Sequence, residues 1–448
     1  MKTSKLLLLG GMLAILIAGN ALAQEVGQAS SDLRQPASVR HVAYDYMNYY
    51  QDDASKSPSD APPPAVPEET APVADIAADC GTGCEPVGCG GRGCRGVRRR
   101  CCGSNLDIGG WLSSGYFTNA WGAGGNGPLG FNNIGDEMTM NQLWVYAGRE
   151  ANTGGYGIDW GFRVDYLFGV DGPDTQAFGD TGWDTTWNST TEYGSAMPQL
   201  YGEIAINDLT VKFGRFYTNI GWEVVQAPDN FFYTHSYTMY YGEPFTHTGF
   251  LASYNLTDRI TVSGGWTNGW DAAFDNTNEG STFLGGIGLT LTDNASLTWA
   301  TTFGDFGLGA GDIYMNSIVF ELAVTDRFTY ILQHDLGNNT GLGAGNNEWY
   351  GINQYLQYEI NDCLAAGMRI EWFRDDDGAR VITGPPGNAG NYYEVTGGLN
   401  WKPLDNLIVR PELRYDWYEG TIGADGAPFG NGQHTTQFSG GLDFIVTF

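Results

Sequence analysis

Three groups of side chains in this 448-residue chain could do chemistry by type and spacing. The first is Cys80, Cys84, Cys89, Cys94, Cys101 and Cys102, six of the seven cysteines, within CGTGCEPVGCGGRGCRGVRRRCC. Their spacing is irregular and no histidine lies among them, so the regular CxxC pair of a zinc site is absent. In an oxidising compartment an even count in a short glycine-rich run suits disulfides. A local disulfide knot, an intermolecular tether and a metal site all stay open, and the pairing is not deducible. Arg92, Arg95, Arg98, Arg99 and Arg100 add a basic patch suited to anionic lipid or cell-wall polymer. The second group is charge at every second position: Asp159, Arg163 and Asp165; Arg369 and Glu371; Arg410, Glu412, Arg414 and Asp416. The third is the stretch 218–245, which carries Glu223, Asp229 and Glu243 among the rings of Phe231, Phe232, Tyr233, Tyr237, Tyr240 and Tyr241. No GxSxG elbow or HExxH pair occurs, so no catalytic residue, metal ligand or cofactor is assigned and an enzyme is not expected.

The elements that must position these groups are strands. The last stretch, QFSGGLDFIVTF, puts Phe438, Leu442, Phe444, Val446 and Phe448 on one face. Gln437, Ser439, Asp443 and Thr447 fall on the other, a period of two. The same alternation sets Ile158, Trp160, Phe162, Val164 and Tyr166 against Asp159, Arg163 and Asp165. Short turns carrying Asn or Thr beside Asp recur at Asp208, Asp258, Asp293, Asp326 and Asp362, with Asp405-Asn406 as a variant. Such residues bond their own backbone in tight turns. Between them lie pairs of strands joined by longer Gly/Asn/Asp-rich loops. About sixteen strands follow, near 106–118, 138–150, 157–169, 197–206, 209–217, 246–256, 259–269, 281–291, 295–305, 312–324, 327–336, 347–360, 363–374, 391–401, 407–418 and 434–448; fourteen and eighteen also fit. Short turns on one side and long loops on the other describe an all-β transmembrane antiparallel barrel of the outer membrane.

Composition agrees. Residues 1–23 read as a secretory signal, with Lys2 and Lys5, an apolar run and Ala21-Leu22-Ala23. Residues 24–79 read as a disordered linker rich in Pro and acid, 80–103 as the Cys/Gly/Arg segment and 104–448 as the barrel. No other run is long and apolar enough for a membrane helix. Beyond residue 103 the chain has 12 basic and 40 acidic residues, a balance of −28. That excludes nucleic acid as a partner and suits a wall that concentrates cations.

A charge in lipid costs about 2–4 kcal/mol at the midplane, so the alternating charges face inward. There they either line a water-filled lumen or brace the wall by pairing across strands. Arg215 breaks the rule, sharing parity with Leu209, Val211 and Phe213; Gly214 offers a bulge to re-aim it, and the headgroup level offers another home. Pro411 within a strand implies a bulge or strand end. The stretch 218–245 would be the third long loop. Folded into the barrel, it would present Glu223, Asp229 and Glu243 as constriction acids facing Arg163, Arg410 and Arg414. Its rings would then offer a stacking track for sugars or form the loop's own core.

The stretch FGRFYTNIGWEVVQAPDNFFYTHSYTMYYGEPFTHTG, with the repeated Asp turns and terminal Phe448, resembles the OmpL-like β-barrel porins over roughly residues 105–448. The resemblance implies an outer-membrane porin passing ions and small hydrophilic solutes, with a homotrimer as a compatible assembly and membrane lipid as its surroundings. It names no substrate and leaves the arm before residue 104 unexplained. A barrel anchored to the cell wall or an envelope protein through that arm is the alternative.

Overall fold

The computed structural model describes residues 106–122, 126–178, 183–184, 187, 192–275, 279–307, 311–340, 346–381, 387–424 and 426–448. The expected signal, the expected linker and the six-cysteine segment lie outside the described residues.

Alternating sequence gives sixteen strands, each in the place its periodicity marks. They are β1 (Asp107–Phe117), β2 (Glu137–Arg149), β3 (Ile158–Gly169), β4 (Gly194–Ile206), β5 (Leu209–Tyr217), β6 (Thr246–Thr257), β7 (Ile260–Thr267) and β8 (Ser281–Thr292). The second half is β9 (Ala295–Asp305), β10 (Asp312–Thr325), β11 (Phe328–Asn339), β12 (Asn347–Asn361), β13 (Leu364–Asp375), β14 (Gly390–Leu404), β15 (Leu407–Gly420) and β16 (Thr436–Thr447). Each pairs antiparallel with its sequence neighbours, and β1 closes on β16 with Trp111 opposite Thr447 and Phe117 opposite Gly441. Closure removes both sheet edges, so every strand has two partners.

Two-residue turns at the Asp positions join β4 to β5 and, in alternation, each later pair up to β14 and β15. Asn207 takes φ +55°, which an Asn tolerates in a tight turn. The opposite rim carries eight longer loops, L1 to L8, at 118–136, 170–193, 218–245, 268–280, 306–311, 340–346, 376–389 and 421–435. Both strand termini, Asp107 and Thr447, fall at the short-turn rim.

The two faces separate as parity requires. Ile158, Phe213, Leu413 and Phe438 are more than half exposed on the outside. Arg369, Glu371, Arg410, Glu412, Arg414, Asp416 and Asp443 are buried inside. Pro411 stays paired with Leu442 of β16, but its pairing with β14 skips from Glu412 opposite Gly398 to Val409 opposite Trp401. The register is the same on both sides of the proline, so no bulge forms there; the register shift of this strand pair falls between Trp401 and Leu404.

Candidate functional site

L3 leaves β5 at Thr218, folds into the barrel and rejoins β6 at Thr246. Its apolar rings alone do not determine where it lies. Wall charges bind its backbone. Glu412 accepts the N–H of Tyr233 at 2.8 Å and of Thr234 at 3.2 Å. Glu371 accepts the N–H of Tyr237 at 2.7 Å and of Thr238 at 2.6 Å. From the donor side, Arg410 reaches the carbonyls of Ala227 (2.9 Å), Asn230 (2.7 Å) and Phe232 (3.0 Å). Arg369 donates to Thr234 O at 2.7 Å and Arg414 to His235 O at 2.6 Å. A loop inside a barrel has backbone groups with no ladder to join, and hydrogen bonds to charged groups satisfy them strongly. The arginines are held in turn: Arg410 by Asp443 at 2.6 Å, Arg414 by Asp416 at 2.8 Å, and Arg369 by Glu394.

Inward-facing glycines make room for the same loop. A Cβ at Gly367 would lie 2.3 Å from the Phe231 ring, and one at Gly115 would lie 2.6 Å from the Tyr233 hydroxyl. At Gly441 and Gly398 it would crowd Tyr233 and Phe232, and at Gly351 the Thr238 hydroxyl. Five strands of the wall thus present bare backbone where L3 side chains lie, a close approach that only glycine allows.

Of the three acids expected at the constriction, Glu223 meets an arginine. Glu223 is buried, pairs with Arg369 at 2.6 Å and accepts the Ser236 N–H at 2.7 Å. Burial alone would push its carboxyl up, but the Arg369 guanidinium and the Ser236 N–H outweigh it and hold the group below the usual range. Glu243 is buried beside Asp335 and accepts from Gln333. Asp229 is exposed, at the end of the single turn Ala227–Asp229. Arg163, Arg410 and Arg414 do not face these acids. Arg163 pairs with Asp165 on its own strand, and Arg410 and Arg414 turn to carbonyls of L3. Asp159 pairs with Arg149 at 2.7 Å near the β2–β3 connection.

The aromatic residues are packed. Phe232, Tyr233 and Tyr237 are buried, and Phe231, Tyr240 and Tyr241 are half-buried. Tyr237 donates its hydroxyl to Asp416 at 2.8 Å, and Tyr233 to Asn141 at 3.0 Å. Phe232 lies against the Arg369 guanidinium at 5.2 Å. His235, within the same cluster, is driven down to about 4 by burial, which outweighs the pull of Glu223. Two small voids adjoin L3, of about 10 Å³ and 20 Å³.

Arg215 keeps its outward parity, with Leu200 and Thr248 opposite it and no shift of register. Gly214 does not re-aim it. L2 covers it instead: Arg215 is fully buried, pairs with Asp184 at 3.0 Å and donates to Thr175 O at 3.2 Å. A loop lying on the outer wall replaces the lipid that would otherwise meet the charge.

Sequence parity found the wall charges but missed Glu394 and Asp443, which hold two of the arginines, Gln333 and Asp335, which meet Glu243 of L3, and the socket glycines. The available signal was glycine at inward parity on β1, β12, β13, β14 and β16.

The family model for beta-barrel porin-2, OmpL-like, matches residues 105–448. The chain belongs to that family. It is an outer-membrane barrel of porin type, and family and fold point to a channel rather than an enzyme. Among solved structures it is similar to the outer membrane channel DcaP of Acinetobacter baumannii, at 12% identity over 77% of this chain and 97% of that one, with a TM-score of 0.52. It is equally similar to OmpF of Salmonella typhi in complex with daunomycin, at 13% identity over 77% and 97%, also with a TM-score of 0.52. OmpT of Vibrio cholerae follows at 11% identity, 77% and 97% coverage and a TM-score of 0.47. At such identities the likeness is one of fold. No curated protein matches the sequence.

Proposed function

We propose that this OmpL-like barrel is a passive, cation-preferring channel for ions and small hydrophilic solutes, with its bore set by the seated L3. The observation that carries the reading is the charge around that seat. The guanidiniums of Arg369, Arg410 and Arg414 stand among the carboxylates of Glu223, Glu371, Glu394, Glu412, Asp416 and Asp443. Six carboxyl groups thus outnumber three guanidiniums around the seat, and Asp229 adds a carboxyl exposed to water. Low-dielectric walls of one sign concentrate counter-ions. The conduit runs on the side away from the sockets, along β6 to β9. There Ser253, Thr261 and Ser263 are half-buried on the inner face, and a Cβ at Gly288 would meet no atom within 4 Å. In this reading Glu223 and Glu243 set the position of L3, Asp229 meets the permeant, and the L3 rings form its core rather than a sugar track.

The test is planar-bilayer conductance in a salt gradient. Discrete steps with a cation-selective reversal potential are expected. An anion-selective reversal would remove the charge argument and leave the pore, whereas a folded, heat-modifiable barrel with no steps would remove the channel.

A second role has one observation behind it. Asp107 opens β1 at the short-turn rim, the periplasmic side in outer-membrane barrels, so the chain enters the barrel wall from that side. An envelope anchor through Cys80 to Cys102 predicts cross-linked species on non-reducing gels that vanish when these cysteines become serine. Monomer alone in both samples would rule out a covalent tether.

A further inference from the structure

We propose that Glu243 of L3 and Asp335 of β11 form a carboxyl pair that holds one shared proton and clasps both legs of L3 to the wall, making the bore of the channel sensitive to pH. The inference rests on the channel reading for its conductance readout, and not for its chemistry.

The geometry begins with Gln333, one turn of the pleat away from Asp335 on the inner face of β11. Its side-chain oxygen accepts the N–H of Trp222, on the leading leg of L3, at 3.2 Å. Its Nε2 donates to Glu243, on the trailing leg, and to Asp335 at 3.1 Å. One amide therefore joins both legs of the loop to the wall, and both of its N–H groups are used. Ser317 of β10 donates its hydroxyl to Asp335 Oδ1 at 2.6 Å. Asp335 Oδ2 is then left without a donor, although the residue is fully buried.

Glu243, itself only 3% exposed, is the hydrogen-bonding neighbour of Asp335. Two adjacent buried carboxylates repel, and an unpartnered oxygen at this depth is costly. One proton on Glu243 removes both costs, because its O–H becomes the donor that Oδ2 lacks. Burial first, and the Asp335 charge second, push the Glu243 carboxyl well above the usual range.

Neither acid has an arginine or lysine as an ion-pair partner among the described residues. Glu223 of L3 faces the pair but is neutralised by Arg369 of β13. His334 of β11 and Tyr355 of β12 are the other titratable neighbours. Gly221 completes the clasp. At φ +88° its backbone passes over Glu243, where a Cβ would fall 1.9 Å from Oε2. The leading leg thus lies directly on the carboxyl whose charge is at issue. Ionising Glu243 places a second negative charge beside Asp335, breaks the shared hydrogen bond and loosens the two legs together.

Two measurements test this with Glu243→Gln, whose amide donates to Asp335 as the protonated acid does. Infrared difference spectra of the folded barrel, wild type minus variant, should show the C=O band of a protonated carboxylic acid at neutral pH, lost as pH rises. Single-channel steps of the wild type should shift with pH over the same range. In Glu243→Gln they should stay, over that range, at the value the wild type has just below it. A null difference spectrum, or a variant that keeps the wild-type pH shift, would overturn the proposal. If heat-modifiable mobility shows that Glu243→Gln does not fold, Asp335→Asn, which also leaves a single acid, is read the same way and must lose the shift. If no steps occur at any pH, the infrared arm alone decides, and it is the channel reading that fails.

Discussion

Arg410 offers the sharpest test of how L3 is held. Its guanidinium is bound twice by Asp443, at 2.9 Å and 2.6 Å, and gives Nη1 to three carbonyls of the L3 tip. Arg410→Ala strips those carbonyls of their donor and leaves Asp443 buried without its guanidinium. Removing one partner of a buried pair costs about 3–5 kcal/mol, most of it for the charge left behind. Local opening of the segment 227–232 should therefore become roughly a hundred- to several-thousand-fold more frequent, at about 1.4 kcal/mol per factor of ten. Hydrogen exchange followed by peptide mass spectrometry on the refolded barrel reads this directly. Protection should fall in 227–232 and persist in the β9 and β10 ladders. Arg410→Ala with Asp443→Asn should recover part of the loss, because no unpaired charge remains. Unchanged protection of 227–232 in the single variant would mean that the guanidinium is not what seats the loop.

Other perturbations separate the roles of neighbouring residues. Asp229→Asn should lower cation selectivity in a salt-gradient bilayer while leaving thermal stability within about 0.5 kcal/mol, since the side chain is an exposed surface position. Gly367→Leu should displace Phe231 from its socket, costing about 1–3 kcal/mol as overpacking does and raising the protease sensitivity of L3. Arg215→Met should release L2 from the outer wall by leaving the Asp184 charge buried without its guanidinium; adding Asp184→Asn should restore much of the L2 protection seen by hydrogen exchange. Acid should loosen L3 through His235. Its pKa is lowered in the fold, so the stability it contributes is lost as pH falls from about 6.5 toward about 4, and His235→Gln should flatten that limb of a proteolysis-against-pH curve.

Period-two alternation located all sixteen strands because a barrel wall has lipid on one side and polar groups on the other, a contrast that needs no tertiary information. The Asp turns marked one rim for the same reason, their chemistry being local. The destinations of the inward charges were less legible. Parity places Arg410 and Arg414 inside, but whether they meet an acid of L3 or its carbonyls depends on the path of a loop that arrives from another part of the chain. Arg215 is the same case on the outer face: its parity was correct, and the covering loop that makes it tolerable is 31 residues away in sequence at Asp184.

The barrel spends little of its inner charge on open water near L3, and this follows from what a loop inside a barrel requires. A strand satisfies its backbone through its neighbours, whereas L3 crosses the lumen with N–H and C=O groups that no ladder reaches. Glu371 and Glu412 take the amides, Arg369, Arg410 and Arg414 take the carbonyls, and each arginine is held by a further carboxylate. Such a seat is strong only while its ionisation states are kept. His235 must stay neutral, which fails toward acid, as its lowered pKa shows. Glu243 must keep its proton, and a raised carboxyl pKa contributes stability below its unfolded value that is lost as pH rises through the folded one. The two requirements bound the pH range from opposite sides. L3 is therefore most firmly seated between them, and the conductance of the wild-type channel should depart from its plateau in both directions, with Glu243→Gln removing only the alkaline departure and His235→Gln only the acid one.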